Sequence, residues 1–593
     1  MVYDPRRAVS LDPDAPYLRA THVQSLTCDV LIIGGGGAAL FAAIHASDSA
    51  PDLDIVLASK GLFGKSGCTR MVQGGYNVVL HEDDSVDKHY DDTIRGGSLI
   101  NNQELAWTLV TQAPERVFEM ENSFGCTFDR NADGTIHQRA LAGQSFNRTI
   151  HRGDLTGIEI ISRLSEQALV RDIELLNEVR GIDLLLDASG RTVAGALLLD
   201  HHSGELITAH ATAVLLATGG AAPLYRITAA SLEKSGDGLA MAYRAGAEFV
   251  DMEMMQFHPT GLIVDGSLLN GTVLEEGLRG AGGHLLNANH ERYMEHYDPE
   301  KMERSTRDRV SRSGMMEIRA GRGTASEGIY LDVRHLGKEF LLKSSPGMYA
   351  RCLTVGTDMA TDLIEVTPTA HFQMGGILID TDCRTTVDGL FAAGEDAGGV
   401  HGANRLGGNG VAESMVFGAI AGESIARHAR EGTRAPFDKD RLGMVRTRLE
   451  GSGEITGQPF KLKNRLRALA WDYLGILRDA DGLAGAADEL DTIEGELGEL
   501  AMPAMRGANP DLQERLDAEN LIDVARLIGT AASAREESRG SHFREDIPDS
   551  DDRFLVNFVQ RRTADGKPNT EPRPVDFTRR TPEALRDETL IPA

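Results

Sequence analysis

The strongest constraint on this chain is a glycine cluster, Gly34-Gly35-Gly36-Gly37-Ala38-Ala39, placed directly after the apolar run CDVLII at residues 28–33. An uninterrupted apolar run of this length predicts a buried parallel strand, and the stretch through Ala46 that follows the glycines reads as helix. Glycine-rich sequence between strand and helix is where a dinucleotide pyrophosphate sits. Gly34 permits the tight turn, Gly36 lets the phosphates approach the backbone, and the small Ala39 allows close helix–strand packing. The helix N-terminus then presents its partial positive charge to the phosphates. The predicted fold class is therefore α/β, with a Rossmann-like nucleotide-binding domain at this end.

The fingerprint is incomplete in its second strand. Residues 54–58 should lead into an acid that binds ribose hydroxyls, but Ser59-Lys60 follows instead. Two later features point to a long cofactor. An alternating hairpin at 193–216 ends in Ala217-Thr218-Gly219-Gly220, and a strand-like segment at 389–393 runs into Gly394-Glu395-Asp396. Three such approaches suit FAD better than NAD.

At 593 residues the chain exceeds one core, so two to four domains are expected. Its 41% hydrophobic and 25% charged content is that of a soluble globular protein. The most apolar uncharged stretch, residues 31–44, is too short and too rich in glycine to span a bilayer. The first 26 residues mix Arg6, Arg7 and Arg19 with Asp4, Asp12 and Asp14 and lack an apolar segment, so no leader is expected and the expected location is cytoplasmic. A net charge of −28 argues against nucleic-acid binding and direct adhesion to anionic lipid. It does not exclude an anionic substrate at a locally basic site. The five cysteines are scattered without a CxxC pair, so neither a disulfide framework, a metal site nor an iron–sulfur cluster is expected. Electrons leaving this chain singly would need another chain to receive them.

Five distant clusters carry candidate chemistry: Gln256-Phe257-His258-Pro259-Thr260-Gly261, Glu275-Glu276-Gly277-Leu278-Arg279-Gly280, Arg307-Asp308, His371 within PTAHFQMGG, and His401 to Asn409 (HGANRLGGN). A four-carbon dicarboxylate needs a cation or donor at each end. Arg405 suits a bidentate grip on one carboxylate with His371 beside it, and His258 can serve the other. With the late ESRGSHFREDIP (residues 537–548), these clusters resemble the flavoprotein subunit of succinate dehydrogenase and fumarate reductase from about residue 28 to 548.

The resemblance implies hydride transfer between succinate or fumarate and FAD, with Arg307 as proton donor fed by Glu276 and Arg279. It also implies a partner iron–sulfur subunit with a membrane anchor reached through it, quinone, and a place on the inner face of the cell membrane. It assigns Phe128 to packing against substrate. To the cofactor it assigns Gly34, Gly36, Gly37, Ala38, Ser59, Lys60, Gly67, Cys68, Thr69, Gln73, Gly74, Gly75, Ala217, Thr218, Gly219, Asp237, Glu395, Arg405, Gly410 and Val411, with Asp154, Thr156 and Gly157 beside them. Two positions depart from the family pattern. Cys68 stands where the family commonly links FAD through histidine, so non-covalent FAD is expected. Glu275 stands where the family usually has a threonine donor to a substrate carboxylate, and an ionised carboxylate cannot donate. Either Glu275 turns away or the carboxylate pocket is rearranged. The alternatives are a soluble L-aspartate oxidase or soluble fumarate reductase needing no partner, and a non-catalytic flavin electron carrier.

The expected order is an FAD-binding domain (1–253 and 370–430) interrupted by an α+β capping domain (254–369), then a helical domain (431–544) and an irregular tail (545–593). Leu466, Leu469, Ala470, Tyr473, Leu474 and Leu477 recur at helical spacing and predict a core stripe, whereas the acidic segment 481–500 is expected to be solvated.

Overall fold

The apolar run at 28–33 is the inner half of strand Gln24–Ile33 in the computed structural model, which describes residues 24–450, 457–501 and 509–586. Residues 1–23, on which most of the leader expectation rests, lie outside the described residues, as do 587–593 of the tail. Gln24–Ile33 lies parallel between Ile55–Ser59 and Leu206–Leu216. The sheet runs Ile173–Asn177, Ile55–Ser59, Gln24–Ile33, Leu206–Leu216, Val193–Asp200, Val179–Leu186, and Leu390–Ala392 also pairs with Leu206–Leu216. Val179–Leu186 and Val193–Asp200 are buried along their whole length, so the expected alternation is absent there. One face is closed by carboxyl-terminal helices: Ile182, Leu197 and Leu199 pack against Val445, Leu449, Leu512 and Leu516.

Glycine supplies two close approaches that position the cofactor end. Gly34 has φ +135°, and a Cβ there would stand 2.1 Å from the Ala217 carbonyl oxygen. Helix Gly37–Ser49 packs against Asn409–Glu431, where a Cβ at Gly422 would stand 2.3 Å from the Ala42 carbonyl oxygen. Leu40, Phe41 and Ile44 are wholly buried in that layer, each contributing roughly 1.5–3 kcal/mol by burial.

Strands Met255–Leu262 and Ile364–Gln373 pair antiparallel and extend into a second sheet with Ile329–Asp332 and His284–Leu286. That sheet has its own core, from Leu262 and Leu274 through Val310 to Val366. The carboxyl-terminal helices Pro459–Tyr473, Ala480–Glu499 and Pro510–Ala534 pack together. Leu466, Leu469, Ala470, Leu474 and Leu477 are buried, but Tyr473 is 45% exposed. The acidic segment is amphipathic: Leu483, Ala486, Leu490, Ile493 and Leu497 face inward, and its acids face solvent. The expectation of an irregular tail is corrected. Val556–Arg562 and Pro568–Pro574 form a hairpin that adds to Phe249–Val250 and Gly376–Ile377. No helix among the described residues is long and apolar enough to cross a membrane.

Candidate active site

Two adjoining hollows, with about 850 and 1460 Å³ of empty space, meet at Cys68, Thr69, Glu395 and Ser414. The first is lined by Gly34, Gly36, Gly37, Ala38, Ser59, Lys60, Gly67, Ala217, Thr218, Gly219 and Asp237. The second is lined by Gln73, Gly74, Gly75, Arg405, Gly410 and Val411. Helices Gly37–Ser49 and Asn409–Glu431 begin at this trough without a side-chain cap from their own first residue, which leaves amide donors for phosphate and ring oxygens. Thr69 Oγ1 accepts the Gly37 N–H at 2.9 Å. At Gly36 a Cβ would meet nothing nearer than Thr69 Oγ1 at 3.6 Å, whereas at Gly35 it would strike Ser59 Oγ at 2.5 Å. Gly36 thus faces open space, as a pyrophosphate cradle requires, and the trough fits FAD.

Some expected cofactor residues act one step back. Asp237 is saturated by protein: Oδ1 accepts from Arg180 Nη2 (2.5 Å) and Asn520 Nδ2 (2.8 Å), and Oδ2 from Lys60 Nζ (3.1 Å). It therefore orients the cations Arg180 and Lys60, both of which line the trough. Glu395 accepts from Lys234 Nζ at 2.6 Å and from the Gln373 N–H at 3.1 Å. Asp154 is not at the trough but accepts the N–H groups of Gly347 and Met348. Thr156 bonds to the Gln73 carbonyl, and Gly157 is pressed so close to Thr69 that a Cβ would stand 1.9 Å from its carbonyl oxygen. Cys68 Sγ accepts the Ser231 N–H, and burial raises its pKa, keeping the thiol protonated.

At the second hollow, the antiparallel strands bring two histidines together, with His258 opposite Thr369 and ring centroids of His258 and His371 5.6 Å apart. Both titrate well below 6.5: burial dominates, followed by Arg307 at His258 and Arg405 at His371. His258 Nδ1 accepts the Thr260 N–H at 3.3 Å, which leaves the single proton on Nε2. The two rings are neutral donors.

Arg405 lies over the Phe372 ring, 4.3 Å from its centroid, and its Nε is buried with no hydrogen-bond partner. Burial and then Arg307 push its pKa down to about 9. Arg307, at the start of cap helix Arg307–Glu317, donates through Nε to Glu276 Oε2 at 2.8 Å. Burial works against ionisation of Glu276, but Arg307 and Arg279 outweigh it and hold its pKa below the usual range. The other Glu276 oxygen accepts the Ala142 N–H at 2.8 Å. Arg279 is buried, with Nε and Nη2 unpartnered and Nη1 on the Glu303 carbonyl; burial lowers its pKa. Among the described residues no ion pair joins Arg279 to Glu276, so a proton relay through both requires a small rearrangement.

Glu275 does not turn away. It lines the hollow, with Oε2 on the Gly277 N–H (2.8 Å) and Oε1 3.5 Å from Arg139 Nη2. Phe128 is corrected: it is buried in the main core and does not line the hollow, where Leu141 stands instead. The sequence reading also gave no role to Gln256. Its Oε1 accepts from both Arg307 Nη1 (3.2 Å) and Arg405 Nη2 (3.1 Å). Its place two residues before His258 on the same strand was the available signal. Lys234 and Arg351 had none, because isolated basic residues are usually on the surface.

A glycine-cradled dinucleotide trough opening into a cationic pocket under a separate cap defines an FAD-dependent oxidoreductase. Residues 29–411 match the FAD binding domain family and 463–587 the fumarate reductase flavoprotein C-terminal family. An uncharacterized FAD-dependent oxidoreductase of Methanocaldococcus jannaschii is 44% identical over 536 residues, covering 90% of this chain and 96% of the relative. The flavin-family chain of the CoM/CoB fumarate reductase of Methanothermobacter marburgensis is 42% identical, covering 88% of this chain and 95% of the relative. A quinol fumarate reductase flavoprotein structure from E. coli superposes with a TM-score of 0.89 at 33% identity, covering 94% of this chain and 98% of that one. The chain belongs to the fumarate reductase and succinate dehydrogenase flavoprotein family.

Proposed function

We propose that this chain interconverts succinate and fumarate and exchanges the electrons with an iron–sulfur subunit, which links it to membrane quinone. The observation that carries this reading is Arg307, paired to Glu276 and facing the hollow that Arg405, His258 and His371 also line. FAD held along the trough supplies hydride exchange with a substrate carbon. Arg405 grips one carboxylate, and the neutral His371 donates beside it. His258 Nε2–H is a donor toward the substrate. Arg307 gives its proton to the carbon opposite the hydride, and Glu276 is placed to take part in restoring it. Arg279 supplies further positive charge behind Glu276. The cap that carries Arg307 excludes water when it lies over the pocket.

Non-covalent FAD is supported by Cys68, whose thiol is neutral and already accepts a backbone N–H. Acid precipitation of the holoprotein is expected to release the yellow colour; colour retained in the pellet refutes this. A second electron route is favoured by the M. marburgensis relative, which is named a CoM/CoB enzyme. The deciding experiment is purification with co-expressed partners, then assay of fumarate with reduced viologen and of succinate with dye. A Cys-rich companion chain and quinone-linked turnover are expected. Flavin bleached by aspartate but not by succinate overturns the proposal.

A further inference from the structure

The charges around the substrate hollow do not all find partners. Arg307 pairs with Glu276, Arg139 faces Glu275 at 3.5 Å, and Lys234 pairs with Glu395 at 2.6 Å. Arg70 is exposed and donates to the Lys65 carbonyl. His258 and His371 are neutral. Two guanidinium groups in the wall remain without a carboxylate among the described residues: Arg405 and Arg351. Each also has a buried nitrogen with no hydrogen-bond partner, Nε of Arg405 and Nη1 of Arg351.

Arg351 lies on cap helix Pro346–Thr354, one turn after Met348. Met348 Sδ accepts the Glu275 N–H at 3.0 Å, so Arg351 stands close to the wall that Glu275 forms. Glu275 is an acceptor only and is committed to Gly277 and Arg139, so it cannot bind an anion there. Desolvated guanidinium nitrogens without partners are costly unless a ligand satisfies them. Two such groups in one hollow match the two charges of a dicarboxylate.

We propose that Arg351 is a specificity-determining residue that binds the substrate carboxylate remote from Arg405. The inference rests on the dicarboxylate reading above. Because Arg351 belongs to the cap, the remote carboxylate also draws the cap onto the substrate, which ties closure to the presence of a second charge.

The test compares wild type, Arg351→Leu and Arg351→Lys as FAD-loaded proteins, with fumarate and monomethyl fumarate as substrates. Flavin absorbance is followed during titration with malonate. For Arg351→Leu, the KM for fumarate and the Kd for malonate are expected to rise on the order of 10- to 100-fold, the loss of one charge-assisted contact. Monomethyl fumarate, which lacks the second charge, should be affected far less, so that discrimination between the two substrates collapses. Arg351→Lys should recover part of it. Fumarate KM and malonate Kd within twofold of wild type overturn the proposal. So does an equal loss on both substrates, or a loss of FAD without a change in substrate affinity. Wild-type protein inert to fumarate and succinate would overturn the parent reading as well, and is distinguished by that control.

Discussion

Replacing Gln256 by leucine tests whether one amide holds the two working arginines in register. Gln256 is fully buried and makes four bonds. Nε2 donates to Asn404 Oδ1 (3.0 Å) and to the Arg405 carbonyl (2.7 Å), while Oε1 accepts from Arg307 and Arg405. Leucine is of similar size and removes all four. The two guanidinium nitrogens border the hollow and regain water. The Arg405 carbonyl and the Asn404 amide oxygen do not, and at about 1–3 kcal/mol for each unpaired buried group the fold loses about 2–6 kcal/mol. Two cations sharing one acceptor repel on the order of 3 kcal/mol at an effective dielectric of about 20. Without Gln256 they separate. Arg405 then grips substrate poorly and Arg307 is misaimed, so KM for fumarate rises and kcat falls together, kcat by about 100-fold. Gln256→Glu keeps both acceptors but partly neutralises the pocket, so it should raise KM more than it lowers kcat. The assay is steady-state fumarate reduction by reduced viologen, with thermal melting and FAD content measured in parallel. Gln256→Leu with kcat and KM both within threefold of wild type would refute the bridging role.

Glu276→Gln cannot satisfy both Ala142 N–H and Arg307 without bringing two donors together. Turnover should fall about 10²- to 10⁴-fold with KM little changed, and a change confined to KM would contradict the relay. The Arg405 guanidinium, depressed to about 9 by burial and Arg307, loses its charge as pH rises through that value. Because a dicarboxylate binds the charged form, KM for fumarate should be flat from pH 7 to 8 and rise about tenfold per unit above about 9; a KM independent of pH to 10 counts against the clamp. Lys234→Met leaves Glu395 buried without its partner, at about 3–5 kcal/mol, and should lower both FAD content and melting temperature. Glu395→Gln in the same chain should restore part of each, and an unchanged FAD content in Lys234→Met would rule out this role.

The sequence alone determined the features that are local. The strand, the four glycines and the helix at 28–46 specify backbone conformation over a few residues, and the trough formed where that reading placed it. The clusters around His258, Glu276, Arg307, His371 and Arg405 were legible as a set because their motifs are distinctive, but their meeting depends on two antiparallel strands and a cap from different parts of the chain. Only the tertiary structure decided that Gln256 bridges two arginines, that Leu141 and not Phe128 lines the hollow, and that Asp237 is saturated by Arg180, Asn520 and Lys60. Each depends on partners tens to hundreds of residues away, and a residue's type does not reveal which buried donor or charge it will meet. The tail shows the same limit from the backbone side. Its Arg- and Pro-rich composition reads as irregular, but strand Phe249–Val250 offers an open edge, and main-chain hydrogen bonds to that edge order the hairpin whatever its side chains are.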